Sequence, residues 1–481
     1  MSVLDKYEVV IGLEVHAQLN TKSKIFTSDS TAFGAEPNTQ INPITLGMPG
    51  VLPKMNIAVI EKAVKMGVAC NCTINEYNFF DRKNYFYADL PKGYQISQDK
   101  QPICIGGYVE IKIDKTTKKI NLTRIHLEED AGKLNHELDA HYSLVDLNRA
   151  GIPLIEIVSE PDIRNSEEAY QYLTEVRKLV RYIDVCDGNM EEGSMRCDAN
   201  VSVRLKGETN YRTRVEVKNM NSIRNVKRAI DIEVKRQVEI YESGGTIAQE
   251  TRSFNPNDGS SFPLRTKEDA HDYRYFPEPD LPLLHIPKDT IEAIKQNMPL
   301  LPNYLYHKFI HEYNLSEYDA QILTDEREIA SFYLEIIQHT KNYKSVANWL
   351  INDIKSYLNE NNLSVADLKI SSNQIADIIA LVDANEINST NSKLLFSAYL
   401  NGNNKTAKDL AIELNLIQSN NEDELMVWAK NAIENNPAKV AEYKKGKQGL
   451  LAMFVGDVMK ASKGKADPKR TNQLLLELLD N

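Results

Sequence analysis

The 481-residue sequence has only five cysteines, Cys70, Cys72, Cys104, Cys186 and Cys197, and no C-x-x-C pair. So sparse and odd a set excludes a disulfide scaffold and the usual cysteine–zinc spacings, and it reads as reduced thiols of the cytosol. No run of about 18 apolar residues occurs, so a membrane span is not expected. Met1-Ser2-Val3-Leu4-Asp5-Lys6-Tyr7 has no basic stretch leading into an apolar one, so no signal peptide is expected and a cytoplasmic location is. Basic residues are the minority sign: 57 Lys and Arg against 68 Asp and Glu, net -11. That excludes a protein that coats nucleic acid through bulk charge, and leaves open a local basic patch. There is no G-x-x-x-x-G-K-[ST] loop, no G-x-G-x-x-G and no H-E-x-x-H, so P-loop, Rossmann and zincin chemistry all drop out. No recognisable nucleophile motif surrounds any serine or cysteine.

What is present is α+β and multidomain. Up to about residue 290 the chain is β-rich, with apolar residues at every second position. Val9, Ile11, Leu13 and Val15 share one strand face, as do Val109, Ile111 and Ile113, and Ala199, Val201, Val203 and Leu205. Two helices interrupt. One starts after Asn165, which with Glu168 makes a capping-box-like pair, and carries Ala169, Leu173, Val176, Leu179, Val180 and Ile183 at helical spacing. The other runs from Ser222 to a stop at Ser243-Gly244-Gly245. Pro277, Pro279, Pro282 and Pro287 lead out of this region. Helical periodicity follows, broken at Asn401-Gly402-Asn403-Asn404 before a last helical block.

Chemistry concentrates on the polar strand faces. Glu14 and His16 stand two apart, on the face opposite Leu13 and Val15. Glu156 is embedded in Leu154-Ile155-Glu156-Ile157-Val158, where a carboxylate is costly unless paired or metal-bound, or else faces solvent. Hard oxygen donors of this kind suit Mg²⁺ together with phosphate oxygens. Asp198, Asn200, Ser202 and Arg204 form one further polar face, and Arg212, Arg214, Glu216 and Lys218 another. Cations beside such carboxylates would neutralise a phosphoryl group in transfer, which makes Arg204, Arg214 and Lys218 phosphate-site candidates.

Longer strings carry more. Val10-Ile11-Gly12-Leu13-Glu14-Val15-His16 is followed by Asp81-Arg82-Lys83-Asn84-Tyr85-Phe86-Tyr87 and by Pro91-Lys92-Gly93-Tyr94-Gln95-Ile96-Ser97-Gln98. Then come His126-Leu127-Glu128-Glu129-Asp130-Ala131-Gly132-Lys133, Leu154 to Asp162, Met190 to Asn200, and Asp272-Tyr273-Arg274-Tyr275-Phe276-Pro277-Glu278-Pro279-Asp280. In this order they resemble the B-subunit family of aspartyl/glutamyl-tRNA(Asn/Gln) amidotransferases over essentially the whole chain.

The resemblance implies a glutamine-synthetase-like cradle domain with a mainly antiparallel sheet over 1–295, an all-α domain over 296–408 and an α-helical YqeY-like tail over 409–481. It implies a ligase, an ATP-dependent carbon–nitrogen ligase with glutamine as amido-nitrogen donor. ATP phosphorylates the side-chain carboxylate of a mischarged Glu-tRNA(Gln) or Asp-tRNA(Asn), and ammonia displaces the phosphate. The implied partners are a glutaminase of the amidase type, which releases the ammonia, and a small third protein, in a heterotrimer. The implied cofactors are ATP and Mg²⁺. His16, Glu129 and Glu156 match the metal-binding positions, with Glu14 adjacent, and these four form the expected catalytic set. Strand alternation, however, puts Glu129 on the face of Ile125 and Leu127 and puts Glu128 with His126. Either Glu129 lies past the strand end or Glu128 is the ligand. Lys83 and Lys92 match the family's ammonia passage. Many family members carry paired cysteines near the segment Asn42 to Gly50; this chain has none there, so no structural zinc is expected.

From Pro437 to Arg470 nine basic residues face three acidic ones, a net of +6 within a net-negative chain. Lys444, Lys445, Lys447, Lys460 and Lys463 are therefore the expected tRNA-binding residues, holding phosphates without reading sequence.

Overall fold

The computed structural model describes residues 3–480 apart from 114–115, 137, 140, 267–272, 419–421 and 463–464. Lys463 and Asp272 lie outside the described residues. The chain divides into two compact units, Met1–Pro302 and Asn303–Asn481.

The first unit is built on one ten-stranded sheet. Its centre reads, across the sheet, Val215–Lys218, Met195–Leu205, Tyr7–Gln18, Pro153–Ser159 and Thr116–Glu129. These central pairings are all antiparallel. Towards one edge, Glu250–Phe254 joins Val215–Lys218 in parallel and then pairs with Ser261–Thr266. The alternation seen in the sequence decides the two faces. Ile11, Leu13, Val15, Ile125, Leu127, Ile155, Ile157, Ala199 and Val201 are fully buried in one cluster. Leu173 and Val176 of the Ser166–Tyr182 helix and Val226 and Ile230 of the Ile223–Glu242 helix belong to the same cluster. Each such side chain contributes about 1.5–3 kcal/mol on burial, so this face fixes strand register and leaves the other face free for polar residues.

Both helices begin where the sequence says. The Asn165 side chain accepts the Glu168 N–H at 2.8 Å, and the Ser222 hydroxyl accepts the Asn225 N–H at 3.1 Å. The reciprocal bond expected from Glu168 goes instead to the Arg164 N–H, one residue earlier. Gly244, at φ +78°, ends the second helix in the left-handed region that favours glycine.

Among its described residues the second unit has helices joined by short turns and no strand. Within it, Leu425, Ala429, Tyr443, Phe454, Val458, Leu474, Leu475 and Leu479 form an apolar cluster that joins the Glu422–Glu434, Pro437–Lys444, Leu451–Ala461 and Pro468–Asp480 helices. Among the described residues no helix is long and apolar enough to cross a membrane.

Candidate functional site

The site grows out of register. On the polar face, His16 lies opposite Glu156, and Glu156 lies opposite His126 on the next strand. Glu128 is two residues further along the same strand as His126, and so shares its face. His16 Nε2 is 3.3 Å from Glu156 Oε2 and 3.6 Å from Glu128 Oε1. His126 Nε2 is 3.4 Å from Glu156 Oε2 and 3.9 Å from Glu128 Oε2. His16, Glu128 and Glu156 can direct one ligand atom each to a common point. His126 and Glu128 are buried, and His16 and Glu156 half-buried.

Such crowding moves the proton equilibria. Burial pushes Glu128 upward, and the neighbouring Glu156 charge adds to that. Burial also acts upward on Glu156, but His126, His16 and Lys83 outweigh it and hold this carboxyl well below its ordinary range. Burial would lower His16, yet its hydrogen bond and charge contact with Glu156 raise it to about 9. Burial dominates at His126 and lowers it to about 4. Two carboxylates and an imidazole converging in a half-closed site are therefore short of positive charge. A bound divalent cation would supply it in place of the His16 proton.

A second acidic group adjoins the first. Glu14, Asp198 and Glu216 also converge. Burial raises the Glu14 carboxyl, with Glu156, Glu216 and Asp198 adding to the effect. Asn200 donates to Glu14 Oε1 at 2.9 Å. Lys218 pairs with Asp198, and with Glu216 at 3.0 Å, so this group already holds a cation of its own.

Two cavities open on this face. The larger, about 580 Å³, is lined by His16, Lys83, Tyr85, Glu128, Asp130, Arg196, Asp198 and Lys218, with Met190, Met220 and Leu154 as apolar wall. Asp130 is braced at its edge by Arg196 at 3.0 Å and by Gln18 at 2.9 Å. The smaller, about 390 Å³, is lined by Gly12, Glu14, Val158, Pro161, Asn200, Tyr211, Arg212 and Arg214. The row of Glu14, Asp198 and Asn200 lies between them.

Strand alternation left Glu128 and Glu129 as alternatives, and the geometry groups Glu128, not Glu129, with His16 and Glu156. Glu129 does not join His16 and Glu156. The strand runs through Glu129, so alternation turns its carboxylate to the opposite face. There it pairs with Lys92 and accepts the Ile96 N–H at 2.8 Å. Glu128 takes the place beside His16. Just beyond, Gly132 lets two neighbouring backbone segments approach closely. A Cβ there would meet the carbonyl oxygens of Asp146 and Asp89 at 2.9 and 3.0 Å, and its N–H donates to Asp89 at 2.8 Å.

The phosphate candidates separate. Lys218 lines the larger cavity and Arg214 the smaller. Arg204 lines neither: its guanidinium is taken up by Glu8, Nε to Oε2 at 2.6 Å, and covers Tyr211. The Val215–Lys218 strand starts after Arg212 and Arg214, so those two arginines do not share a strand face with Glu216 and Lys218. Lys83 faces the larger cavity, whereas Lys92 is with Glu129. In the tail, Lys444, Lys445 and Lys460 are exposed and Lys447 pairs with Glu442 at 3.0 Å. Sequence reasoning passed over Arg196, Asp130 and the convergence of Asp198 and Glu216 on Glu14. The signal for that convergence was cross-strand: it needs the pairing of Glu14 with Asp198, which one strand alone does not reveal.

Residues 9–292 match the family described as the GatB/GatE catalytic domain, and residues 331–479 the family described as the GatB domain. The B subunit of the aspartyl/glutamyl-tRNA(Asn/Gln) amidotransferase of Thermoanaerobacter pseudethanolicus is 49% identical over 474 residues, 98% of this chain and 99% of the relative. The protein of that name from Thermodesulfovibrio yellowstonii is 48% identical over 475 residues, 98% and 99% of the two chains. That from Persephonella marina is 46% identical over 475 residues, 98% and 100% of the two chains.

Proposed function

We propose, given that the chain belongs to the B-subunit family of aspartyl/glutamyl-tRNA(Asn/Gln) amidotransferases, that it is the ATP-dependent amide-forming component of such an enzyme. The observation that carries the reading is the convergence of Glu156 with His16 and Glu128, the latter two on the wall of a cavity also lined by Arg196, Lys218 and Lys83. A purely positional scaffold for a polyanion would not gather carboxylates there.

The reaction has two displacements. An oxygen of the glutamyl or aspartyl side chain attacks the γ-phosphorus of ATP, and ADP leaves. Ammonia then attacks the acyl carbon, phosphate leaves with the bonding pair, and the nitrogen sheds a proton. A carboxylate alone offers only oxide as leaving group, which is why phosphorylation must come first. The donor set fits Mg²⁺ in its two carboxylates, and the imidazole also admits Mn²⁺. His16, Glu128 and Glu156 would hold the ion, and once bound it spreads the negative charge of phosphoryl transfer. Glu14, Asp198 and Glu216 extend the acidic row towards the smaller cavity, where Tyr211 and Arg214 suit a nucleotide. Lys218 and Arg196 offer charge to phosphate and carboxylate oxygens. The Met190, Met220 and Leu154 wall of the larger cavity excludes water from the aminoacyl end.

Ammonia would come from a glutaminase partner, with a third, small protein completing a cytoplasmic heterotrimer. Lys83 and Lys92 belong to its passage, and the Lys92–Glu129 pair then lies on that route. The basic tail would hold the body of the tRNA through Lys444, Lys445, Lys447 and Lys460. The test is amidation by the assembled complex with ATP, Mg²⁺ and glutamine, offering Glu-tRNA(Gln) and Asp-tRNA(Asn) separately. ATP-dependent amide formation on at least one supports the reading; none on either refutes it.

A further inference from the structure

Lys83 is a cation of an unusual kind for this site. It lines the larger cavity, and among the described residues it has no carboxylate at ion-pair distance. Its ammonium lies instead 4.9 Å from the ring centroid of Tyr273 and 5.9 Å from that of Tyr85. The two rings meet edge to face at 5.9 Å, and Tyr273 meets Tyr275 in the same way at 6.1 Å. Tyr273 does not itself line the cavity, so any effect it has there passes through Lys83 or through Tyr85, which does.

The segment carrying Tyr273 is fastened over the Lys83 strand. The Asn84 N–H donates to the Tyr273 carbonyl and the Asn84 side-chain amide to the Arg274 carbonyl, each at 2.9 Å. Phe276 pairs in register with Arg82. Arg274, between the two tyrosines, sits at φ +45°, a left-handed conformation that a non-glycine residue keeps only where its surroundings over-determine it. A ring face attracts an ammonium without cancelling its charge, unlike a carboxylate partner.

We infer that Tyr273, together with Tyr85, is a positioning residue that holds the Lys83 ammonium against the cavity wall as an uncancelled charge, kept from collapsing onto Glu128 and Glu156. This rests on the proposed passage role of Lys83. A fixed cation there repels ammonium ion and passes neutral ammonia.

The experiment compares Lys83→Met, Tyr273→Leu and Tyr273→Phe in the assembled complex, each assayed with glutamine and with saturating ammonium chloride. Tyr273→Leu removes the ring face, whereas Tyr273→Phe keeps it and removes only the hydroxyl. Tyr273→Leu is expected to reproduce the donor pattern of Lys83→Met, with the glutamine-driven rate falling about tenfold more than the ammonium-driven rate. Tyr273→Phe should keep the parental ratio. Equal behaviour of the Leu and Phe variants overturns the inference, as does a parental ratio in Tyr273→Leu where Lys83→Met is impaired. If Lys83→Met loses both donors equally, the passage role falls. Tyr273→Leu matching that loss while Tyr273→Phe does not would still support the positioning of Lys83 by Tyr273.

Discussion

Glu128 and Glu129 are consecutive in one strand, yet Glu128 comes within 3.6 Å of the His16 imidazole while Glu129 is held by Lys92 on the opposite face. The two neighbours should therefore fail differently. Glu128→Gln should lose divalent-cation binding and lower amidation by about a hundredfold or more with either nitrogen donor. Glu129→Gln should keep the cation but leave the half-buried Lys92 unpaired, destabilising the fold by about 3 kcal/mol. Mn²⁺ titration and thermal unfolding of the two variants separate these outcomes. Cation loss in Glu129→Gln alone would reverse the assignment.

The carboxylates clustered beside His16 predict a stability that depends on a divalent ion. Adding Mg²⁺ to chelator-treated protein should raise the unfolding temperature, since a ligand at a hundred times its dissociation constant adds about 2.7 kcal/mol. The same addition should raise it much less in Glu156→Gln. An identical shift in both would place the ion elsewhere.

The alternation of Leu13, Val15, Ile155 and Ile157 showed in the sequence because side-chain period two is a local property. So did the helix starts at Asn165 and Ser222, which are written in three or four residues. The site was half legible for the same reason. Glu14, His16 and Glu156 stand out on single strands. The choice between Glu128 and Glu129 depends on whether the strand continues one residue further, and Asp198 and Glu216 meet Glu14 only through pairing between distant segments. Arg204 shows why charge alone does not mark a site: an arginine ion-paired with Glu8 and an arginine that binds phosphate look the same in sequence.

Lys24 supplies a pH signature away from the candidate cation site. It is fully buried, its ammonium donates to the carbonyls of Gln40 at 2.8 Å and Leu147 at 3.3 Å, and burial lowers its pKa to about 8. The unfolded chain, with the ordinary value of 10.5, then binds more protons than the folded one between these limits. Parental stability relative to Lys24→Met should rise as pH increases from about 8 to 10.5. Unfolding temperatures of both proteins across that range test the sign; a falling difference would contradict it.

In the tail, Lys444 and Lys445 are exposed, whereas Glu442 already engages Lys447 and Lys439. Replacing Lys444 and Lys445 together by alanine should weaken tRNA binding and flatten the slope of log affinity against log salt by about 1.5. Lys447→Ala should do less, because part of its charge is spent on Glu442. Equal losses would mean that the Glu442 pair does not persist in solution.

Glu156→Gln most directly tests the proposal that the amide is formed at the His16–Glu128–Glu156 group, since it keeps the shape and removes one charge. The measurement is ATP-dependent amidation of mischarged tRNA by the assembled complex with ammonium chloride as donor, which bypasses glutamine hydrolysis. Glu156→Gln is expected to abolish this reaction while the complex still hydrolyses glutamine. Amidation at the parental rate would contradict the proposal.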